Sequence, residues 1–167
     1  MRWLLMNKKI IFIPFILLQI LSSQHISSNF SLKKINGRTV KIGEYLNDGP
    51  VLINFWATWC APCKKEMVFL ERFEYEYKKE GFSVLSISID SQKSLAQVRS
   101  YIRINNYSFD VFLDPNMQVF KKMNGNLMPT NILLDKKGNI IWRHYGYLPG
   151  DEKNMNLQIR SALNLNS

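Results

Sequence analysis

Phe55-Trp56-Ala57-Thr58-Trp59-Cys60-Ala61-Pro62-Cys63-Lys64-Lys65-Glu66 is the stretch on which the reading of this chain turns. It holds both cysteines of the 167-residue sequence, three positions apart. A bare C-x-x-C says little, but its surroundings say more. The apolar run Val51–Trp56 has strand length and reads as a buried central strand. From residue 60 to residue 79 the spacing changes: Met67, Leu70, Phe73 and Tyr77 recur at intervals of three or four, which is helical. The cysteine pair therefore closes a strand and opens a helix.

That position carries chemistry. Two cysteines at i and i+3 lie on one helix face, close enough to form a disulfide and reopen it. A helix N-terminus offers unpaired N–H groups and the positive end of the dipole, and both stabilise a thiolate. Cys60, outermost, is then the nucleophile, and Cys63, one turn in, the resolving thiol. Pro62 is tolerated because a first-turn N–H has no intrahelical acceptor to lose. Two competing readings are weaker. A purely structural disulfide across so small a loop restricts the unfolded chain little. A zinc site needs four ligands, and the two histidines, His25 and His144, stand far from the pair without finger spacing.

Outward from the motif, residues 30–35 and 38–42 flank Asn36-Gly37, a strong hairpin signal. Gly81 is a natural helix stop. Residues 82–89 read as the next strand, with Leu85, Ile87 and Ile89 alternating with Ser86 and Ser88. A helix over 94–104, a short strand over 109–113 and a brief helix over 117–123 follow. Thr130–Leu134 and residues 140–144 form a late hairpin, and residues 151–163 a closing helix. The order predicts an α/β fold with a mixed central β-sheet flanked by helices, plus an added N-terminal β-hairpin. The aromatics Phe69, Phe73, Tyr75 and Tyr77 read as helix packing rather than a cofactor pocket. No glycine-rich phosphate loop or paired-carboxylate site is visible. The chemistry calls for no cofactor and no metal.

The formal charge is +9, from 22 basic and 13 acidic residues. Scattered lysine pairs with interspersed acids read as a solvated surface, so no nucleic acid partner is expected. Arg2, Lys8 and Lys9 flank an apolar stretch at residues 10–21, too short for a span of about 20 residues. Residues 1–24 thus read as a signal peptide or an N-terminal membrane anchor, leaving 25–167 as one domain. Either reading places that domain outside the cytoplasm, in the periplasm or on the outer face of the membrane.

Trp59-Cys60-Ala61-Pro62-Cys63 matches the W-C-x-P-C signature of thioredoxin-like proteins. With the export segment, the hairpin and Lys64-Lys65-Glu66, the chain resembles the TlpA/ResA-type extracytoplasmic thioredoxins over roughly residues 30 to 163. The resemblance implies a thioredoxin fold and thiol–disulfide oxidoreductase activity. It implies a cis-proline at Pro129, beside which a substrate strand pairs at Met128, with Thr130 next to it. Without it, Pro129 reads equally as a turn proline. It also bears on proton transfer. Thioredoxin keeps a buried Asp six positions before its first cysteine, where this chain has Asn54, which cannot titrate. Glu66 matches the glutamate of TlpA/ResA-type proteins, as proton acceptor and tuner of the thiols. The plainer alternative is a solvent-facing glutamate favoured by the helix dipole. Trp56 and Trp59 either shield the thiols and offer a contact surface (Trp59 as a substrate-binding residue) or simply pack.

The leading functional expectation is a reductase of partner-protein disulfides, re-reduced by a membrane thiol electron donor. By resemblance its partners are exported proteins such as apocytochrome c or copper-delivery proteins, which suggests cytochrome c maturation. Ala61 between the cysteines adds no positive charge, which favours a reductant over a disulfide-forming oxidant. A redox-inert peptide-binding module of the same fold is the alternative from another class.

Overall fold

The computed structural model describes residues 25–26 and 29–165. The signal or anchor expectation for residues 1–24 lies outside these.

Among the described residues, seven strands and five α-helices follow one another as β1 (Ser31–Lys33), β2 (Thr39–Lys41), α1 (Gly43–Leu46), β3 (Val51–Trp56), α2 (Ala61–Tyr77), β4 (Ser83–Ser88), α3 (Leu95–Asn105), β5 (Asp110–Leu113), α4 (Gln118–Lys122), β6 (Thr130–Leu134), β7 (Ile140–Tyr145) and α5 (Asp151–Ala162). The central sheet runs β5-β4-β3-β6-β7. β3, β4 and β5 are parallel, whereas β6 and β7 are antiparallel to their neighbours, so the sheet is mixed as anticipated. This is the thioredoxin architecture with an N-terminal hairpin.

Side-chain alternation assigns the layers. Asn54 and Trp56 of β3 meet Glu66 of α2 and Tyr101 of α3, and Tyr77 of α2 bonds Asn156 of α5 at 2.7 Å. These three helices cover one face. Phe55, on the other face, meets Phe120 of α4, while Phe112 of β5 meets Tyr45 of α1. Every residue of β3 is buried, which explains its nearly continuous apolar run. Ser86 and Ser88 are buried too, so the alternation in β4 reflects two covered faces rather than a solvated one.

Met67, Leu70, Phe73 and Tyr77 line the inner face of α2, as their spacing requires. Tyr75 departs from the packing expectation. It is 84% exposed, because two positions from Phe73 is about 200° around the helix. Gly81 ends the segment at φ +86, and a Cβ there would collide with the Asp48 carbonyl. In the N-terminal hairpin Lys33 opposes Thr39, and Lys34 N–H donates to Arg38 O at 2.8 Å. The loop is therefore three residues, 35–37, with Gly37 at φ +91, rather than a two-residue Asn-Gly turn. Lys34 ties this hairpin to the sheet through Asp110 at 2.7 Å.

Candidate active site

The β3 strand delivers the chain to α2 through a short loop. Cys60 N–H donates to Ala57 O at 3.1 Å, and Cys60 becomes the N-cap of α2 with φ −89° and ψ 100°. Its Sγ accepts the backbone N–H of Cys63 at 3.3 Å, so the sulfur occupies the position an N-cap oxygen would take. Cys60 and Cys63 form a disulfide with Cα atoms 5.3 Å apart. Cys63 is fully buried and Cys60 is 5% exposed, so only the outer cysteine reaches the surface. Reduction would leave the Cys60 sulfur at a helix N-terminus with a donor already aimed at it, an arrangement that stabilises thiolate.

Asp90, two residues past the end of β4, anchors the loop. It is buried, and its carboxylate accepts Thr58 N–H at 2.9 Å and the Thr58 hydroxyl at 2.6 Å. Ser88 Oγ–H donates to it as well, at 2.9 Å. The two tryptophans separate cleanly. Trp56 is fully buried against Tyr101, and Trp59 is 69% exposed beside the disulfide.

The peptide bond between Met128 and Pro129 is cis. Phe55 opposes Thr130 and Thr130 opposes Tyr145. The start of β6 therefore lies at the sheet end where β3 delivers the cysteines. Pro129 O accepts Gly146 N–H at 2.7 Å, and Met128 is half-buried beside it. Thr130 is buried, and its hydroxyl donates to Leu127 O at 2.5 Å. Its side chain thus braces the loop instead of facing solvent.

Glu66 is fully buried, not solvent-facing. It lies one helical turn past Cys63, and its carboxylate meets two strands. Asn54 Nδ2–H donates to Oε2 at 3.0 Å and Asn131 Nδ2–H donates to Oε1 at 2.7 Å. The two asparagines face each other in the β3–β6 register, and Asn54 also donates to Asn131 Oδ1 at 2.9 Å. Burial pushes the Glu66 carboxyl up to about 8 from 4.5, the two amide hydrogen bonds oppose the rise, and Asp151 adds to it. Asn131 was not singled out from sequence, because its importance comes from a register between strands 77 residues apart. Among the described residues, no cluster of three or more His, Cys, Asp or Glu could hold a metal ion. None of the described helices is long and apolar enough to cross a membrane.

Comparison with known proteins agrees with this geometry. The redoxin family matches residues 23–159. Thiol-disulfide oxidoreductase ResA of Bacillus thuringiensis subsp. konkukian is 29% identical over 113 residues, which is 68% of this chain and 64% of that protein. The Bacillus subtilis ResA is 28% identical over 113 residues, covering 68% and 62%. The chain thus spans a little under two thirds of these relatives' length. A putative thiol:disulfide interchange protein DsbE from Chlorobium tepidum superposes with a TM-score of 0.75 at 27% identity, covering 85% of this chain and 99% of that one. A putative thioredoxin from Neisseria meningitidis gives 0.70 at 30% identity, covering 81% and 87%. With a family match across most of its length and this disulfide at the head of α2, the chain belongs to the redoxin family.

Proposed function

We propose that this chain is a thiol–disulfide oxidoreductase that reduces disulfides of partner proteins outside the cytoplasm. The observation that carries the reading is the Cys60–Cys63 disulfide at the N-terminus of α2, with its outer sulfur as N-cap and its inner sulfur buried. The ResA and DsbE names of its relatives support it.

In the reduced protein, the Cys60 thiolate attacks one sulfur of a partner disulfide. A mixed disulfide forms and the other partner sulfur leaves as thiolate. The Cys63 thiol then passes its proton to Glu66 and attacks Cys60 Sγ. The Cys60–Cys63 bond forms, and the second partner sulfur departs. Two electrons have moved to the partner, and a membrane thiol donor restores the pair. Trp59 and Met128 form the contact surface, where Met128 offers backbone to a partner strand, and the buried Pro129 and Thr130 hold that loop in place. Residues 1–24 act as signal peptide or anchor for the 25–167 domain. Exported proteins awaiting reduced cysteines, such as apocytochrome c or copper-delivery proteins, fit this chemistry.

The reduction potential of the Cys60–Cys63 couple, equilibrated against a dithiol buffer, tests the direction of electron flow. A reductase has a value near that of thioredoxin, about −270 mV, whereas a value near −120 mV, as in DsbA, would make the chain an oxidant and refute the reading.

A further inference from the structure

Glu66 is an acid buried beyond the reach of water, a place where a carboxyl ordinarily stays protonated and inert. What distinguishes it here is the pair of side chains opposite. Asn54 and Asn131 are Cα partners across β3 and β6, both fully buried, and both turn their side chains toward α2. Each directs an amide N–H at a different carboxyl oxygen, at 3.0 and 2.7 Å. The bond from Asn54 Nδ2 to Asn131 Oδ1, at 2.9 Å, locks the amides to each other. Both side-chain hydrogen bonds to Glu66 thus come from donors, while Asn54 Oδ1 is left buried without a partner. Two donors suit a carboxylate, whose oxygens only accept, better than a carboxylic acid, whose O–H needs an acceptor.

We propose that Asn131, together with Asn54, is a positioning clamp that keeps the buried Glu66 carboxyl ionisable and aimed, so that it can take the proton of the resolving thiol. The proposal rests on the reading of Glu66 as proton acceptor. The proton moves from Cys63 Sγ to a Glu66 oxygen, and the clamp compensates the carboxylate's lost hydration beforehand. The other groups around Glu66 work against ionisation or are neutral. Asp151 of α5 repels the carboxylate, and Tyr147 in the loop before α5 is an uncharged phenol near neutral pH. His144 of β7, the Cα partner of Asn131, bonds Asp151 at 3.2 Å. No cation on β3, β6 or α5 does the work of the amides. The clamp also accounts for Asn54, a polar residue in the middle of an otherwise apolar central strand.

The test compares Asn131→Leu and Asn131→Thr with the wild-type protein and Glu66→Gln. The Glu66 carboxyl is titrated directly by carbon NMR in the oxidised protein, where the thiols do not titrate. Loss of one charge-assisted hydrogen bond is expected to raise the Glu66 midpoint by about one pH unit in Asn131→Leu, a tenfold change in proton affinity. Threonine suits a strand and keeps a shorter hydroxyl donor, so Asn131→Thr is expected to rise by part of that unit. It also keeps the test open if the leucine variant does not fold. In Asn131→Leu, resolution of the mixed disulfide at pH 7 should slow several-fold, with KM unchanged, and recover on raising the pH by about one unit. A merely structural role would lower stability and leave the midpoint in place. Midpoints in the folded variants that match wild type overturn the clamp. A shifted midpoint combined with wild-type kinetics in Glu66→Gln would keep the clamp and refute Glu66 as the proton acceptor.

Discussion

Replacing Glu66 by Gln offers a prediction with a worked magnitude. The carboxyl sits at about 8 in the folded protein against 4.5 as the ordinary value. Its folded value lies above its unfolded one, so the folded state holds the proton more tightly. The resulting stabilisation is full below pH 4.5 and is lost as pH rises from there to 8. Glu66 is fully buried, so no solvent screening reduces the effect. Integrated over the two midpoints, wild type loses about 4 kcal/mol between pH 5 and pH 9 through this one group. Glutamine has the same shape and never ionises. Urea unfolding of the oxidised proteins at pH 5, 7 and 9 measures the gap, and all other titrations cancel between the two. Whatever fixed cost the glutamine amide meets against an asparagine donor, the gap is expected to move in favour of Glu66→Gln by about 4 kcal/mol between pH 5 and pH 9. Stability curves that run parallel across this range would show that Glu66 does not titrate there, and the account of the buried acid would fail.

Asp90→Ala removes the acceptor for two Thr58 donors and the Ser88 hydroxyl, and should cost about 2–4 kcal/mol in urea unfolding. It should also change the alkylation rate of Cys60, because Thr58 lies two residues before it; an unchanged rate would show that the loop needs no anchor. Leu70→Ala, in the fully buried face of α2, should cost about 2–5 kcal/mol, read by the same unfolding. A reporter fused after Ser167 should be active only outside the cytoplasm, and cytoplasmic activity would refute the export reading.

Much of this was legible in the chain because it depends on local pattern. The run Val51–Trp56, the helical spacing of Met67, Leu70, Phe73 and Tyr77, and the cysteine pair between them placed the disulfide at a strand–helix junction. The late hairpin, Thr130–Leu134 with Ile140–Tyr145, marked the sheet as mixed. The proline before it gained its cis geometry from the family resemblance, since periodicity says nothing about a peptide bond. What escaped was set by tertiary register. Asn131 lies opposite Asn54 only because β6 pairs with β3 at that offset, and Asp90 matters only because β4 ends beside the Thr58 loop. A polar residue inside a strand gives no local sign of its partner. Tyr75 shows the converse error, an aromatic grouped with inward-facing neighbours although its angle around α2 points it to solvent.

The central claim is that Cys60 attacks and Cys63 resolves, and trapping of the intermediate tests it most directly. Reduced Cys63→Ser and Cys60→Ser proteins would be mixed with a protein carrying an exposed disulfide, quenched with acid and weighed intact by mass spectrometry. The account predicts a covalent adduct through Cys60 in Cys63→Ser and none in Cys60→Ser, as an N-cap sulfur on a residue that keeps 5% exposure and a fully buried partner require. An adduct through Cys63, or none in either variant, would contradict it.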